Sequence, residues 1–468
     1  MRSADRLFEA AEGDIMHAQP QELIASLQEQ VRRYAEGQEA GVHPYDVAEL
    51  LLHLREFDEE RYLDILSQLP EELKAQVLIE LPKPCHEEVI GHFTPAEIAD
   101  LTNTLDTDDA AGLIRTIEEV DETVAGEVLQ NLPASDRETL EALISYDWEE
   151  AGAYMQTELF EASVEEQIGD SVRRLKRLKA AKEVDNVYQV YVIGRDRTFL
   201  GSIPLEDLIL LGPHVRYETL VAEGINTVAV GATENIKNVI EVAANYDMNV
   251  VPVIDDQGRL LGRITSDDIY DIIEERATGQ LYNLAGVSDE AEQEESLLRI
   301  GQTRAVWLGI NLVTAVAASV VIGFFDTTIH SLVALAVLMP IVASMGGNAG
   351  TQTLTVTVRQ LALGDISRGD ARDTVMKEVY LALMNGALFA AVIGVVAWLW
   401  FSLPLLGVVI AASMVINLFC AGFFGAVIPL LLQKLGIDPA VGSSVLLTTV
   451  TDIVGFFSFL GLASVILL

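Results

Sequence analysis

Two cysteines in 468 residues leave no disulfide framework. Cys85 and Cys420 stand far apart, and neither has a neighbour at metal-ligand spacing such as CxxC. The seven histidines are scattered, with no Ser/His pairing and no metal-hydrolase spacing, so the chain is read as not an enzyme. The first residues, MRSADRLFEAAEGD, contain no apolar core. That argues against a cleavable signal peptide and for a water-soluble part kept in the cytoplasm. Bases are scarce too: 30 Lys and Arg face 70 Asp and Glu, a net charge of −40. So negative a balance speaks against nucleic acid and for cations as partners.

The acid is unevenly spread. Residues 301–468 hold 7 acids and 6 bases, which leaves 63 acids and 24 bases in residues 1–300, a net of −39. A strongly acidic soluble body therefore precedes a nearly neutral apolar one. The apolar body contains five runs long enough to cross a bilayer, at 305–325 and roughly 331–358, 375–401, 405–432 and 442–467. Five crossings put the termini on opposite sides. The loop 359–377 carries Arg359, Arg368, Arg372 and Lys377, and the loop 433–441 carries Lys434, whereas 326–330 and 402–404 have neither Lys nor Arg. The positive-inside rule then places the N-terminus in the cytoplasm and the C-terminus outside, in the cell (inner) membrane.

Polar residues cluster inside the runs. The second contains PIVASMGGNAGTQT (340–353), which a lipid-facing helix has no use for. It reads as lining for a pore or substrate site, with Pro340 and the glycines loosening the helix and freeing carbonyls. Asn385 and Asn417 lie in the third and fourth runs. The fifth holds Asp452, the acid farthest inside any run, amid Ser443, Ser444, Thr448, Thr449 and Thr451. An intramembrane carboxylate marks a functional site by default. Thr448, Thr451 and Asp452 share one helical face at i, i+3 and i+4, with Gly455 a further step on; Met345, Asn348 and Gln352 share another. Hard oxygen donors of this kind suit Mg²⁺, Ca²⁺ or Mn²⁺. One Asp per chain fits a hydrated ion better where two chains place their Asp452 side chains across a two-fold axis.

In the soluble body, YVIGRDRTFLGSIPLEDLI (191–209) aligns without a gap to PVIDDQGRLLGRITSDDIY (252–270), an offset of 61. Each copy gives a strand, a polar turn, a strand with Leu-Gly and an acid opening a helix. The pair resembles tandem CBS domains. In those a Thr-x-x-Asp at the helix start holds a ribose, which carries over to Thr265 and Asp268 as an ATP site; the first copy has Pro204 in place of the Thr, with Asp207 kept. Upstream, residues 20–150 read as short helices punctuated by Leu-Pro, stacked as a superhelical array, with acid pairs Asp108–Asp109 and Glu87–Glu88 at helix starts. Downstream, 266–304 reads as a long amphipathic helix, an acidic hinge, then the first crossing. Asp267, Asp268, Asp271, Glu274 and Glu275 crowd the start of that helix, and a bridging divalent cation would relieve their repulsion.

Taken together, these residues resemble the MgtE family of magnesium channels. PIVASMGGNAGTQ is similar to its P-x-x-x-x-x-G-G-N-x-G-x-Q signature, and DPAVGSSVLLTTVTDIVGF (438–456) to its fifth-span signature. The resemblance implies a multidomain chain: an all-α superhelical N-domain (1–150), an α/β tandem CBS pair (151–272), a connecting helix and hinge (273–303) and an α-helical membrane domain with five spans (304–468). It implies a homodimer in membrane lipid whose central pore passes Mg²⁺ inward at Asp452, with Asn348 and Thr448 nearby. It further implies closure by Mg²⁺ bound at Asp267, Asp268, Asp271, Glu274 and Asp108 or Asp109. Where relatives read E-A-T-E-D in the connecting helix this chain has RATGQ, so Arg276, Gly279 and Gln280 replace three acids and point to rewired feedback. The alternatives are an H⁺- or Na⁺-coupled divalent cation exchanger and a membrane-anchored Mg²⁺ sensor.

Overall fold

The structure, a computed structural model, describes residues 20–36, 42–181, 184, 186–287, 297–362, 366 and 371–468. The N-terminal stretch read for a signal peptide, the acidic hinge at 288–296, and Asp365, Arg368 and Asp370 lie outside the described residues. The chain forms two compact units, 1–273 and 274–468.

Among its described residues the first unit opens with nine short helices: α1 Pro20–Ala35, α2 Pro44–Phe57, α3 Glu59–Gln68, α4 Glu71–Glu80, α5 Lys83–His92, α6 Pro95–Thr102, α7 Thr107–Val120, α8 Glu122–Asn131 and α9 Ala134–Ile144. The Leu-Pro punctuation sets their boundaries. Pro70, Pro82 and Pro133 are the N-caps of α4, α5 and α9, where a missing N–H costs nothing. Asp121 caps α8 by accepting from the N–H groups of Thr123 and Val124. The Glu87–Glu88 pair is not at a helix start; it lies in the middle of α5, and Glu88 pairs with Arg55 of α2 at 2.6 Å. Arg115 of α7 is buried and closes the C-terminus of α9, donating to the carbonyls of Leu143 (2.8 Å) and Tyr146 (2.7 Å) under the Trp148 ring.

Two three-stranded sheets follow, with the helices of each copy around them: β1 Glu161–Ser163, α10 Ile168–Ala180, β2 Gln189–Ile193, β3 Phe199–Pro204, α11 Leu205–Leu210, α12 Tyr217–Glu223, β4 Val230–Gly231, α13 Ile236–Asn245, β5 Val250–Ile254 and β6 Leu260–Thr265. In each sheet the first pair is parallel and the second antiparallel. The offset of 61 holds residue by residue: Val192 pairs with Gly201 as Val253 pairs with Gly262, and the register slips after Val192 as it does after Val253. The segment entering each copy bridges to the other copy, Gln156 to Arg263 and Asn226 to Ser202. Gly201 and Gly262 make that possible. A Cβ on Gly201 would sit 2.7 Å from the Asn226 carbonyl oxygen, and one on Gly262 2.5 Å from that of Gln156. The hydrophobic core of the helical body runs on into the second sheet through Val251, Val253 and Ile264, while the first sheet keeps a core of its own around Val190, Val192 and Tyr217.

Helix α14, Ser266–Ala285, starts directly after β6. The second unit then contains α15 Leu297–Gly323, α16 Asp326–Ser331, α17 Ala334–Ala362, α18 Ala371–Phe401, α19 Pro404–Lys434 and α20 Ser443–Ile466. Five of these helices are long and apolar enough to cross a membrane: Ile300–Gly323, α17, α18, α19 and α20. Contrary to the loosened backbone expected of the second run, α17 continues unbroken through Pro340 and the glycines. Neighbouring helices in a bundle supply what proline removes.

Candidate functional site

Two helix starts meet across one cavity in the first unit. Asp108 and Asp109 occupy the first turn of α7, where the unpaired N–H groups favour negative charge. At the start of α14, Thr265 donates to Asp268 Oδ2 from both its hydroxyl (2.7 Å) and its backbone N–H (3.3 Å). The cavity, about 530 Å³, is lined by Asp108, Asp109, Asp267, Asp268 and Asp271, joined by Glu80 from the end of α4 and by Asp106. Against these seven carboxylates the lining offers Arg263 and His43. Arg263 is already engaged, donating to Gln156 Oε1 (3.1 Å) and to the Asn186 carbonyl (3.0 Å).

The crowding is written into the acids' protonation. Burial, then the charges of Asp268, Asp106 and Asp267, pushes Asp109 up to about 7. Burial likewise raises Asp268 to about 6, against the opposing hydrogen bonds from Thr265. Asp108 is held well above the carboxylate range by burial and by Asp268 and Asp109. One oxygen of Asp108 is enclosed and has no hydrogen-bond partner among the described residues. Burial also raises Glu80. Like charges in a poorly solvated space take up protons unless a cation replaces them. Among the described residues, no three His, Cys, Asp or Glu converge closely enough to hold a bare metal ion.

Glu274 does not line this cavity. It is exposed on α14 and is the first residue of the second unit. Glu80 and Asp106 were not singled out by sequence. Asp106 sits in the run DTDD, legible as a cap. Glu80 ends a Leu-Pro helix, and no local pattern points it toward α14. Thr265 and Asp268, the residues of the nucleotide reading, close on each other within the same cavity.

In the second unit, polar residues divide between two kinds of face. On α20, Thr448 is exposed and Asp452 half-buried, one turn apart. Thr451 and Gly455, grouped with them by spacing, turn inward and are buried in packing. On α17, Ser344, Asn348 and Gln352 are exposed on one face and Gly346, Gly350 and Thr353 are buried on another. Asn348 Nδ2 donates to Ser344 Oγ at 3.4 Å. A second acid emerges here: Glu378 of α18 is buried and accepts a hydrogen bond from Thr353 Oγ1 at 3.1 Å. It lies near the start of the third run, beside Lys377, and no sequence pattern singles it out. Leu284, near the end of α14, packs against the cluster formed by Leu354 and Val358 of α17, Ile428 of α19, Ala440 and Leu447 of α20.

Among the described residues, five helices long and apolar enough to cross a membrane, with polar faces, joined to an acidic body built on a duplicated α/β unit, define a multi-pass membrane transport protein. The comparisons agree in detail. Residues 339–462 match the divalent cation transporter family MgtE, 42–149 the MgtE intracellular N domain and 223–275 the CBS domain. The chain is 32% identical over 435 residues to the magnesium transporter MgtE of Thermus thermophilus, covering 88% of this chain and 95% of that one. It is 27% identical over 432 residues to the magnesium transporter MgtE of Bacillus subtilis, covering 90% and 92%. The solved cytosolic domain of the Mg²⁺ channel MgtE in complex with ATP aligns at 28% identity over 54% of this chain and all of that chain, with a TM-score of 0.47. The chain belongs to the MgtE family of divalent cation transporters.

Proposed function

We propose that this chain is a Mg²⁺-selective channel for magnesium uptake, working as a homodimer and closed by cytoplasmic Mg²⁺. The observation that carries the transport reading is the face of α20 on which an exposed Thr448 and a half-buried Asp452 stand one turn apart. A second copy of that face across a two-fold axis supplies the second carboxylate a hydrated ion needs, with Asn348 of α17 beside it. A membrane anchor has no use for a carboxylate there. The reading assigns 1–150 to the helical N-domain, 151–272 to the CBS pair, 273–303 to the connecting helix and hinge, and 304–468 to the pore, with the N-terminus cytoplasmic and the C-terminus outside.

For closure, the cavity between α7 and α14 is the sensor. Asp108, Asp109, Asp267, Asp268 and Asp271 hold Mg²⁺ through its water shell, which fits a lining whose acids do not converge on a point. Bound Mg²⁺ fixes the start of α14, whose far end packs on the cluster around Leu354 and Leu447. Glu274 contributes only through the long-range field. ATP at Thr265 and Asp268 would place a polyanion among seven carboxylates, so in this reading a nucleotide enters only together with Mg²⁺.

The test is Mg²⁺ flux in proteoliposomes under voltage clamp. Currents that reverse at the Mg²⁺ equilibrium potential support the channel; flux that requires an H⁺ or Na⁺ counter-gradient makes the protein an exchanger. Asp452→Ala abolishes uptake, and uptake at the wild-type rate in that variant removes Asp452 from the pore.

A further inference from the structure

Asn417 of α19 is fully buried in the membrane domain. Its Nδ2 donates to the carbonyl of Val342 on α17 at 2.8 Å. Its amide occupies the space beside two glycines on two other helices. A Cβ on Gly346 of α17 would fall on that amide, and one on Gly455 of α20 would lie 2.8 Å from Nδ2. Gly346 precedes Asn348 by two residues, and Gly455 follows Asp452 by three. The amide is thus wedged between the two helices that carry the polar faces, about one turn from each functional residue. Its Oδ1 is enclosed and has no hydrogen-bond partner among the described residues. Such an orphan acceptor is destabilising, a cost an apolar side chain would avoid. Packing alone therefore does not account for the amide. What it adds is a directional bond to the α17 backbone at a point fixed against α20.

We infer that Asn417 is a positioning residue for transport: it sets the spacing and rotation of the Asn348 face of α17 against the Asp452 face of α20. This rests on the pore reading above. Without the wedge, α17 and α20 settle closer, and the ion's ligands shift by a fraction of a side chain. Misplacement on the ångström scale is enough to change binding by about tenfold or more. The two glycines follow from the same geometry, since any side chain at either position collides with the amide.

The experiment measures Mg²⁺ uptake against Mg²⁺ concentration in proteoliposomes, normalised to protein extracted as a monodisperse species. N417A raises the half-saturating Mg²⁺ concentration by about tenfold. G346A impairs transport in the wild-type background and much less in the N417A background, because the amide it strikes is gone. A wild-type half-saturation in N417A, or a G346A effect of equal size in both backgrounds, overturns the inference. Should N417A not assemble, N417L decides: it keeps close to the same shape and has no donor for the Val342 carbonyl, so wild-type half-saturation in N417L likewise overturns it. D452N, run in parallel, separates the two failures. Normal uptake in D452N refutes the pore reading; silent D452N with unaltered N417A or N417L refutes the wedge alone.

Discussion

Raising the pH from 6 to 8 should tighten Mg²⁺ binding at the acidic cavity by about 20-fold, or about 1.8 kcal/mol. The magnitude follows from two of its acids. Asp109 titrates near 7 and Asp268 near 6 in the metal-free protein. Each acid that must shed a proton before binding weakens the apparent affinity by one plus the ratio of its protonated to ionised forms. At pH 6 the two factors multiply to about 22, and at pH 8 to about 1.1. Asp109→Asn removes the larger of these two factors, so the change across the same interval shrinks by about tenfold, whatever the variant's absolute affinity. Titration calorimetry of the full-length protein in two buffers of different ionisation enthalpy gives both the affinity and the protons released. Binding that is equally tight at pH 6 and pH 8, or that releases no proton at pH 6, would show that Mg²⁺ does not displace protons from these acids. The same shifts set the sign for stability. A carboxyl whose folded value lies above its ordinary 3.8 contributes stability below that value and loses it as the pH rises through the folded one. The metal-free soluble body therefore weakens between about pH 4 and pH 7, and Mg²⁺ at pH 8 restores what is lost.

Neutralising Asp267, Asp268 and Asp271 together leaves transport open at internal Mg²⁺ concentrations that close the wild type; unchanged inhibition in flux assays assigns the sensor elsewhere. Arg115→Ala costs about 2–4 kcal/mol, because it strips the end of α9 of its donors and leaves the carbonyls of Leu143 and Tyr146 without them, and it lowers the unfolding temperature without altering the Mg²⁺ dependence of transport. Gly201→Ala and Gly262→Ala each drive a methyl toward a backbone oxygen that cannot swing away and cost about 1–3 kcal/mol, read by chemical denaturation; a neutral result at either would mean the crossing segments are not held as described.

Much of the architecture was legible because the signals are local. Five apolar runs are sufficient for five helices, and only their ends moved: the third crossing begins at Ala371 rather than near 375. The duplicated unit declared itself through a gapless offset, and the strands keep that offset in register. Leu-Pro steps marked helix boundaries in the soluble body because proline fits a cap or first turn without losing a helix hydrogen bond. What escaped depended on which face meets which. Thr451 and Asp452 are adjacent in sequence, and only the packing of α20 sends one inward and leaves the other half-exposed. Glu80 reaches the acidic cavity through the stacking of α4, a tertiary fact with no periodic trace. Glu378 lies near the start of the third run, and only the packing of α17 on α18 sets Thr353 against it. Pro340 and its glycines read as a broken helix, yet an unbroken one resulted, since the small residues serve close helix contact rather than an opening in the backbone.

The duplicated α/β unit has a consequence for how this protein tolerates change. Both halves keep the strand pairing and the crossing segments, but Thr265 and Asp268 have no complete counterpart where Pro204 and Asp207 stand. Under the proposed sensor reading, the first half is left to bear architecture and the second to bear ligand chemistry. Random substitution at equivalent positions will then fall unequally: the leading half registers as loss of folded protein, the trailing half as folded protein that no longer responds to its ion.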